Sequence, residues 1–352
     1  SRFHPKHRWG NFYSVGGAWI ISRENFMAPS AKWLNVLKLK ASFGQQGNDR
    51  IGDYLYVDTY SIVNSNNQLG LVLLSKGNEN ITWETNNNVN AGVEFELFDS
   101  RLRGNVEYFY KKTTDMLCFV LAPYSSGFNG TYDNIGDMVN KGVEIELSGS
   151  IIKTKDITWD INANATFYKN IIVELAPSLK RYAGVNEEGK STWYYKKADG
   201  TLGTTDVYGN ATSFLCGDPH PTVYGGFGTS FAAYGFDINI GFTYSLGGKA
   251  YDGGYASHMT TPNGINGGHS FHRDILNAWS PTNTESNIPR LQYGDTNSTA
   301  SSDRFLTSAS YLTLQNINLG YTLPSKWIRS LNLSSVRLYA AASNIYYWSA
   351  RR

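Results

Sequence analysis

Apolar and polar residues alternate with a period of two over many stretches of this chain. In residues 89–97 one set of alternate positions is apolar: Val89, Ala91, Val93, Phe95 and Leu97. The pattern resumes after Asp99 and Ser100 in residues 102–111, which predicts an antiparallel hairpin with a very short turn. Similar runs occupy 37–43, 143–151, 159–168, 236–245 and 336–342. This alternation predicts β-strands that each have one apolar and one polar face.

The predicted strands are long, and the connections between them are unequal. Runs such as 89–97 and 159–168 exceed the ~5–6 residues typical of globular sheets and reach the ~9–11 residues that a tilted strand needs to cross a bilayer. Tight turns are predicted at 99–100, 153–156 and 233–235, whereas long polar segments rich in glycine and aromatic residues occupy 121–139, 176–217 and 247–304. Short helical pieces are predicted only at 22–29, 274–279 and 324–331.

Two architectures fit this alternation. In a soluble β-sandwich the apolar face forms the core, whereas in a transmembrane β-barrel it meets lipid and the polar face lines the lumen. Long strands, short turns on one side and long loops on the other favour the barrel. Aromatic residues at strand ends, such as Trp19, Tyr108 and Trp348, match the interfacial girdles of such barrels.

Composition narrows the possible classes further. Aromatic residues make up 14% of the chain and charged residues 17%, below the ~25% of typical soluble proteins, and the net charge is only +2. The aromatic content excludes a disordered chain, and no apolar run is long enough for a transmembrane helix. The balanced charge and the lack of a basic cluster argue against a nucleic-acid partner.

Several sequence blocks resemble those of SusC-like TonB-dependent transporters. They are LKLKASFGQQGN at 37–48, NITWET at 80–85, EYFYKKTTDML at 107–117, NIGDMVNKGVE at 134–144, WSPTN at 279–283 and SYLTLQNINLGY at 310–321. Thr313 stands where that family usually has arginine. The resemblance implies an all-β fold, an antiparallel transmembrane β-barrel. Residues 1–352 would form roughly the C-terminal half of a 22-stranded barrel with long extracellular loops.

The same resemblance implies a function and a set of partners. The plug domain, TonB box and final strand are expected outside this chain. The family relation implies TonB-coupled import of oligosaccharides or oligopeptides across the outer membrane of a Gram-negative, Bacteroidota-type bacterium. The implied partners are outer-membrane lipid, a SusD-like surface lipoprotein and the TonB–ExbB–ExbD machinery. No cofactor and no enzymatic activity are implied. A secreted glycan-binding β-sandwich and a passive porin remain the alternatives.

Aromatic residues in the long segments are the candidate contacts for a substrate or partner. They are Trp193, Tyr194, Tyr195, Tyr251, Tyr255 and Trp279. Flat aromatic faces beside Asn and Asp suit sugar rings, and the same residues serve at protein interfaces and membrane belts.

Five glutamates on the predicted polar faces are candidate lumen-facing residues: Glu94, Glu96, Glu107, Glu144 and Glu146. They form either an acidic patch that touches the plug or solute, or a solvated interior neutralised by Lys38, Lys40 and Arg103. Carboxylates at i and i+2 share one strand face and would allow the spacing that glycosidases use, but nothing else supports catalysis. The histidines lack a ligand framework, so no metal site is predicted.

Overall fold

The computed structural model describes residues 2–65, 68–172, 179–181, 183–259, 270–295, 297–329 and 333–350. The chain divides into two compact units. Unit 1 comprises Ser1–Leu175, Thr222–Tyr244 and Leu312–Tyr347, and unit 2 comprises Ala176–Pro221, Ser245–Tyr311 and Trp348–Arg352. Within the described ranges, no helix has the length and apolar character needed to cross a membrane.

Strands dominate the chain. In order they are β1 Ser14–Ile20, β2 Leu34–Asn48, β3 Thr59–Ser65, β4 Gln68–Ser75, β5 Glu84–Leu97, β6 Leu102–Thr114, β7 Leu117–Leu121, β8 Gly130–Asn134, β9 Met138–Lys153, β10 Ile157–Ile172, β11 Leu179–Arg181, β12 Ala183–Val185, β13 Ser191–Lys196, β14 Leu202–Thr205, β15 Ser213–Leu215, β16 Val223–Ala233, β17 Phe236–Leu246, β18 Lys249–Tyr251, β19 Leu306–Ser308, β20 Tyr311–Thr322 and β21 Arg337–Ser349. The α-helices are α1 Gly253–His258 and α2 Ser325–Ile328. Short 3₁₀ turns lie at Ile21–Arg23, Asn25–Ser30, Tyr124–Ser126, Tyr208–Asn210, Arg273–Asn277 and Asp303–Phe305.

Unit 1 is built on one ten-stranded sheet with the order β1-β2-β5-β6-β9-β10-β16-β17-β20-β21. The hairpin predicted at 89–111 is confirmed as β5–β6, closed by Phe98, Asp99 and Ser100, which all have positive φ. The β16–β17 hairpin turns at Tyr234 and Gly235, which both have positive φ, as a two-residue type I′ turn requires. The predicted antiparallel all-β fold is therefore confirmed.

The predicted difference between the two sets of connections is also present. Segments 98–101, 154–156 and 234–235 join strands at one end, whereas 49–83, 115–137, 173–222 and 247–310 join them at the other. Segments 21–33 and 323–336, at the short end, carry helical turns where short helices are predicted. The longer segments are not simple loops, because β3–β4 and β7–β8 form hairpins within them.

The apolar face of the large sheet has no second large sheet packed on it among the described residues. Large apolar side chains remain exposed along it, including Leu147, Ile151, Trp159 and Ile161 on the neighbouring strands β9 and β10. A β-sandwich would bury this face against a second sheet. The β-sandwich interpretation is therefore wrong for this chain.

Unit 2 forms from the two longest polar segments, which fold into small sheets rather than structureless loops. These sheets are β11–β15, β12–β13–β14 and β18–β19. An apolar core of Ala256, Met259, Ile275 and Phe305 lies in its second segment. Hydrogen bonds tie the two segments together; among them, the Ala183 amide donates to Asp303 Oδ1 at 2.9 Å, and the Arg290 amide donates to the Gly189 carbonyl at 2.8 Å.

Candidate functional site

The five glutamates predicted to face the lumen share the polar face of the unit 1 sheet. The strand register places Glu94 opposite Lys38 on β2 and Glu96 opposite Arg103 on β6. Glu107 lies directly opposite Glu144, and Glu146 lies opposite Asn105. Because side chains alternate between faces along a strand, these pairings place all five carboxylates on one surface.

Cross-strand ion pairs neutralise three of these carboxylates. Lys38 Nζ lies 3.2 Å from Glu94 Oε2, and Arg103 Nε lies 3.6 Å from Glu96 Oε1. Within the described residues, neither Glu144 nor Glu146 forms an ion pair. The face therefore combines neutralised pairs with two exposed carboxylates on β9.

The third pair spans two strand spacings. Lys40 Nζ on β2 reaches Glu107 Oε2 on β6 at 2.6 Å, although β5 lies between these strands. Gly92 occupies the intervening position of β5, and a Cβ atom there would lie 2.9 Å from Lys40 Cε and 3.0 Å from the Val106 carbonyl. The missing side chain of Gly92 is what leaves room for the lysine to cross.

A second ion pair repeats this arrangement at the other end of the sheet. Arg337 Nη2 on β21 contacts Asp237 Oδ2 on β17 at 2.5 Å, with Gly320 of β20 between them. A Cβ atom at Gly320 would lie 2.5 Å from both Arg337 Nη2 and Asp237 Oδ1. Neither of these ion pairs across an intervening strand is predicted from the sequence. The only local feature that could have indicated them is a glycine at a polar-face position of the intervening strand.

Side-chain amides fill much of the remaining polar face. Asn239 donates to Ser230 Oγ at 2.6 Å, and Asn316 donates to Asn239 Oδ1 at 2.9 Å. Asn170 donates to Asn140 Oδ1 at 2.6 Å on the neighbouring pair β9–β10. Such amides offer both donors and acceptors, so this surface is suited to water and to uncharged polar solutes.

Among the predicted aromatic contacts, Trp193 lies in a different environment from the one expected. Its side chain is 0% exposed and its ring packs edge-on against Tyr208 at a centroid distance of 5.0 Å. A ring without exposed surface is not positioned to touch a partner. We therefore reassign Trp193 to the core of unit 2. Alternation within the short strand β13 was too brief to reveal this burial from sequence.

The other five aromatic residues keep some exposed surface. Tyr194 and Tyr195 are half-buried beside Trp193 on β13, and Trp279 packs so closely over Gly189 that a Cβ atom there would clash with the ring. Tyr251 is 39% exposed, and its partial burial raises the pKa of its hydroxyl. Of these residues, the structure brings Tyr251 and Tyr255 together, because both rings contact Phe305.

Tyr255 borders a cavity of unit 2. Its hydroxyl donates to Asp274 Oδ2 at 3.0 Å, and its ring contacts His272 and Phe305. Of the six predicted aromatic contacts, it is the one that lines this cavity, whose volume is about 790 Å³. The cavity itself was not predicted, because its walls come from residues spread over 255–305.

No group of three or more His, Cys, Asp or Glu side chains in the described part of the chain is arranged to hold a metal ion. His258 Nδ1 lies 2.7 Å from the Ser270 carbonyl, and His272 Nδ1 lies 3.3 Å from Asp274 Oδ2. His269 falls outside the described residues.

Comparisons with known proteins agree with this architecture. The family model "TonB dependent receptor-like, beta-barrel" matches residues 3–345. TonB-dependent receptor P3 of Formosa agariphila is 29% identical over 98% of this chain and 38% of its own length. TonB-dependent receptor SusC of Bacteroides thetaiotaomicron is 27% identical over 98% of this chain and 37% of its own length.

Solved structures give the same result. The structure of the RagAB peptide transporter matches with a TM-score of 0.85 and 27% identity, over 99% of this chain and 41% of that chain. The chain thus spans about two fifths of the length of the relatives it matches. Given this match over nearly all of its residues, the chain belongs to the SusC-like TonB-dependent receptors, a family of outer-membrane proteins, and forms part of their β-barrel.

Proposed function

We propose that this chain is the barrel part of an importer that moves oligosaccharides or oligopeptides across the Gram-negative outer membrane with energy supplied through TonB. The observation that carries the proposal is the two-faced ten-stranded sheet of a TonB-dependent receptor. In this proposal the exposed apolar face meets lipid, and the face that carries Glu94, Glu96, Glu107, Glu144 and Glu146 lines the lumen. The peptide transport named for RagAB supports an oligopeptide as one class of solute.

We place the long connections outside the cell and the short turns in the periplasm, as in other outer-membrane barrels. An epitope tag checks this orientation on intact cells. Gly200 suits the outer tag because its turn is open: a Cβ atom added to this glycine would have no neighbouring atom within 4 Å. A tag at Gly200 should bind antibody, whereas a tag at Asp99 should not. The reverse result would invert the assignment.

The β3–β4 hairpin supports a protein partner on the outer side. Residues 59–75 contain no charged residue, and the hairpin exposes Ile62 at 72%, Leu69 at 79% and Leu71 at 70%. Its base is anchored, because Lys76 Nζ contacts Asp58 Oδ2 at 2.8 Å. Exposed apolar surface of this kind marks interaction sites. We assign it to the SusD-like lipoprotein, whose facing surface should be uncharged and apolar.

Uptake by the parent protein tests the transport function. Cells that carry it should accumulate a fluorescent oligopeptide or oligosaccharide, and a protonophore or loss of TonB should abolish that accumulation. Uptake that survives both treatments would identify a passive porin. A protein that is extracted without detergent would contradict the membrane assignment altogether.

Co-purification of the SusD-like lipoprotein tests the partner surface. Ile62→Asp combined with Leu71→Asp should release the lipoprotein, because two charges would be buried in an apolar contact. Asn64→Asp is the matched control, since it adds a charge to the same hairpin at a polar position. Equal recovery of the lipoprotein with all variants would contradict this assignment.

A further inference from the structure

The cavity in unit 2 has the composition of a ligand site. Its floor is apolar and includes Met259, Ile275 and Phe305 from the core of the unit. Its rim carries the side chains of Asn277, Asn283, Asn287 and Ser286, and the buried Ser298 adds a hydroxyl to the wall. At about 790 Å³ it falls within the range of small-molecule pockets, which combine apolar walls with a few convergent polar groups.

Arg304 gives this cavity a half-buried positive charge. The residue lines the cavity, and burial lowers the pKa of its guanidinium, opposed by the charges of Asp303 and Asp295. Nη1 donates to the Ser298 carbonyl at 3.4 Å, and Nη2 donates to the Gly184 carbonyl at 3.1 Å.

These two acceptors leave the guanidinium incompletely satisfied. It has five N–H donors, and in the described part of the chain no carboxylate lies within ion-pair distance of Arg304. Asp303 Oδ1 instead accepts the Ala183 amide at 2.9 Å. A half-buried guanidinium with no carboxylate in direct contact has N–H donors to spare, so an anion that reaches it gains a charge-assisted hydrogen bond.

The opposite charges of the cavity wall restrict which anion fits. Asp274 is occupied by the Tyr255 hydroxyl at 3.0 Å, and the exposed Glu285 adds a second carboxylate at the rim. These two negative groups disfavour a polyanion. They fit a ligand that has one carboxylate, together with N–H or O–H donors for the rim and apolar atoms for the floor.

We propose that the unit 2 cavity binds a single carboxylate group of a short polar chain, with the carboxylate on Arg304 and the apolar part of the ligand on Ile275 and Phe305. This site deepens the proposed import function, on which it rests for the source of the ligand. That source is an oligopeptide with a free carboxyl terminus or an oligosaccharide that ends in a uronate. Both supply the same carboxylate chemistry.

Calorimetric titration of the full-length parent protein in detergent tests the site. The probes form two matched pairs. The first pair is an N-acetylated hexapeptide with a free carboxyl terminus and the same peptide as its C-terminal amide. The second pair is a trisaccharide that ends in a uronate and the corresponding neutral trisaccharide. The acid form of one pair should bind about tenfold or more tightly than its neutral form, because the amide or neutral sugar cannot make the charge-assisted bond. The pair that shows the difference identifies the source.

Protein variants locate the binding. Arg304→Gln should remove the preference for the acid, whereas Arg290→Gln should not, since Arg290 lies in the same unit outside the cavity and contacts Gln292 at 2.8 Å. If Arg304→Gln does not fold, Asn287→Asp at the exposed rim should weaken binding of the acid form selectively. Equal binding of acid and neutral probes, or an unchanged preference in Arg304→Gln, would overturn the proposal.

The outcome is separable from that of the transport proposal. Carboxylate binding by the purified protein needs no energy coupling, so it should persist even if uptake proves independent of TonB. Conversely, TonB-dependent uptake with no preference for the acid probes would retain the importer and reject this site.

Discussion

Gly92 gives the sharpest test of the polar face, because the effect expected there has the opposite sign to the usual one. In an ordinary strand, replacing an interior glycine by alanine stabilises a protein by about 0.5–1 kcal/mol, since glycine loses more backbone entropy on folding. We expect Gly92→Ala to destabilise instead. A methyl group there would lie 2.9 Å from Lys40 Cε and 3.0 Å from the Val106 carbonyl.

Three contributions set the magnitude of the destabilisation expected for Gly92→Ala. Displacing Lys40 breaks its ion pair with Glu107, which is partly exposed and therefore contributes less than about 1 kcal/mol. Glu107 then faces Glu144 without a cation, and like charges directly opposite cost about 0.2–1 kcal/mol. The contact with the Val106 carbonyl adds an overpacking cost of about 1–3 kcal/mol, reduced as the strands relax. The net change should be a loss of about 1–2 kcal/mol.

Urea unfolding of the full-length parent protein in phospholipid vesicles, followed by tryptophan fluorescence, measures this loss. Gly149→Ala on β9 is the matched control, because its new Cβ would meet neighbours only at 3.7 Å or beyond. That control should be neutral or stabilising. Equal effects of Gly92→Ala and Gly149→Ala would refute the idea that the missing side chain of Gly92 accommodates the ion pair.

A double-mutant cycle separates the ion pair from simple crowding. In a Lys40→Ala background the lysine side chain no longer crosses Gly92, so Gly92→Ala should cost less than in the unmodified protein. The coupling free energy should be at least about 0.5 kcal/mol. A coupling free energy of zero would assign the whole effect to the Val106 carbonyl.

Three further predictions address the lipid face, the core of unit 2 and the exposed hairpin. In unfolding from vesicles, Phe95→Arg should destabilise the inserted barrel by about 2–4 kcal/mol and Glu94→Arg by much less. Equal costs for the two variants would contradict the assignment of Phe95 to the lipid face. Trp193→Ala should lower the free energy of unfolding by about 3–5 kcal/mol and expose 176–221 to limited proteolysis. Trp193→Phe should retain most of the protection from cleavage. Unchanged cleavage in Trp193→Ala would contradict the burial of the ring. Hydrogen bonds from Lys76 and the Gly77 amide lower the pKa of Asp58 below its unfolded value. The contribution of these bonds to the stability of the hairpin is therefore complete at neutral pH, above the unfolded pKa, and is lost as the pH falls through the folded pKa. Amide exchange in 59–75, corrected for its intrinsic rate, should therefore increase on acidification, and Asp58→Asn should remove that dependence.

The alternation in the sequence by itself determined seven of the ten strands of the large sheet, their faces and the difference between short and long connections, but not β1, β16 and β20. Alternation such as that of 89–97 is a local property, because successive side chains of a strand point to opposite faces whatever the strand pairs with. The turn at Asp99 and Ser100 then specifies the register of β5–β6. The sequence blocks from 37–48 to 310–321 were enough to place the chain in its family. The match of the family model to residues 3–345 confirms that placement.

Only the tertiary structure decided which residues meet across strands and between distant segments. Lys40, Gly92 and Glu107 are far apart in the chain, and their alignment depends on the registers of β2–β5 and β5–β6 together. Trp193 is buried and packs against Tyr208, and the walls of the cavity around Arg304 come from residues spread over 255–305. Short strands joined by polar turns carry too little periodicity to show such contacts, since the free energy that selects them comes from packing between segments rather than from local propensity.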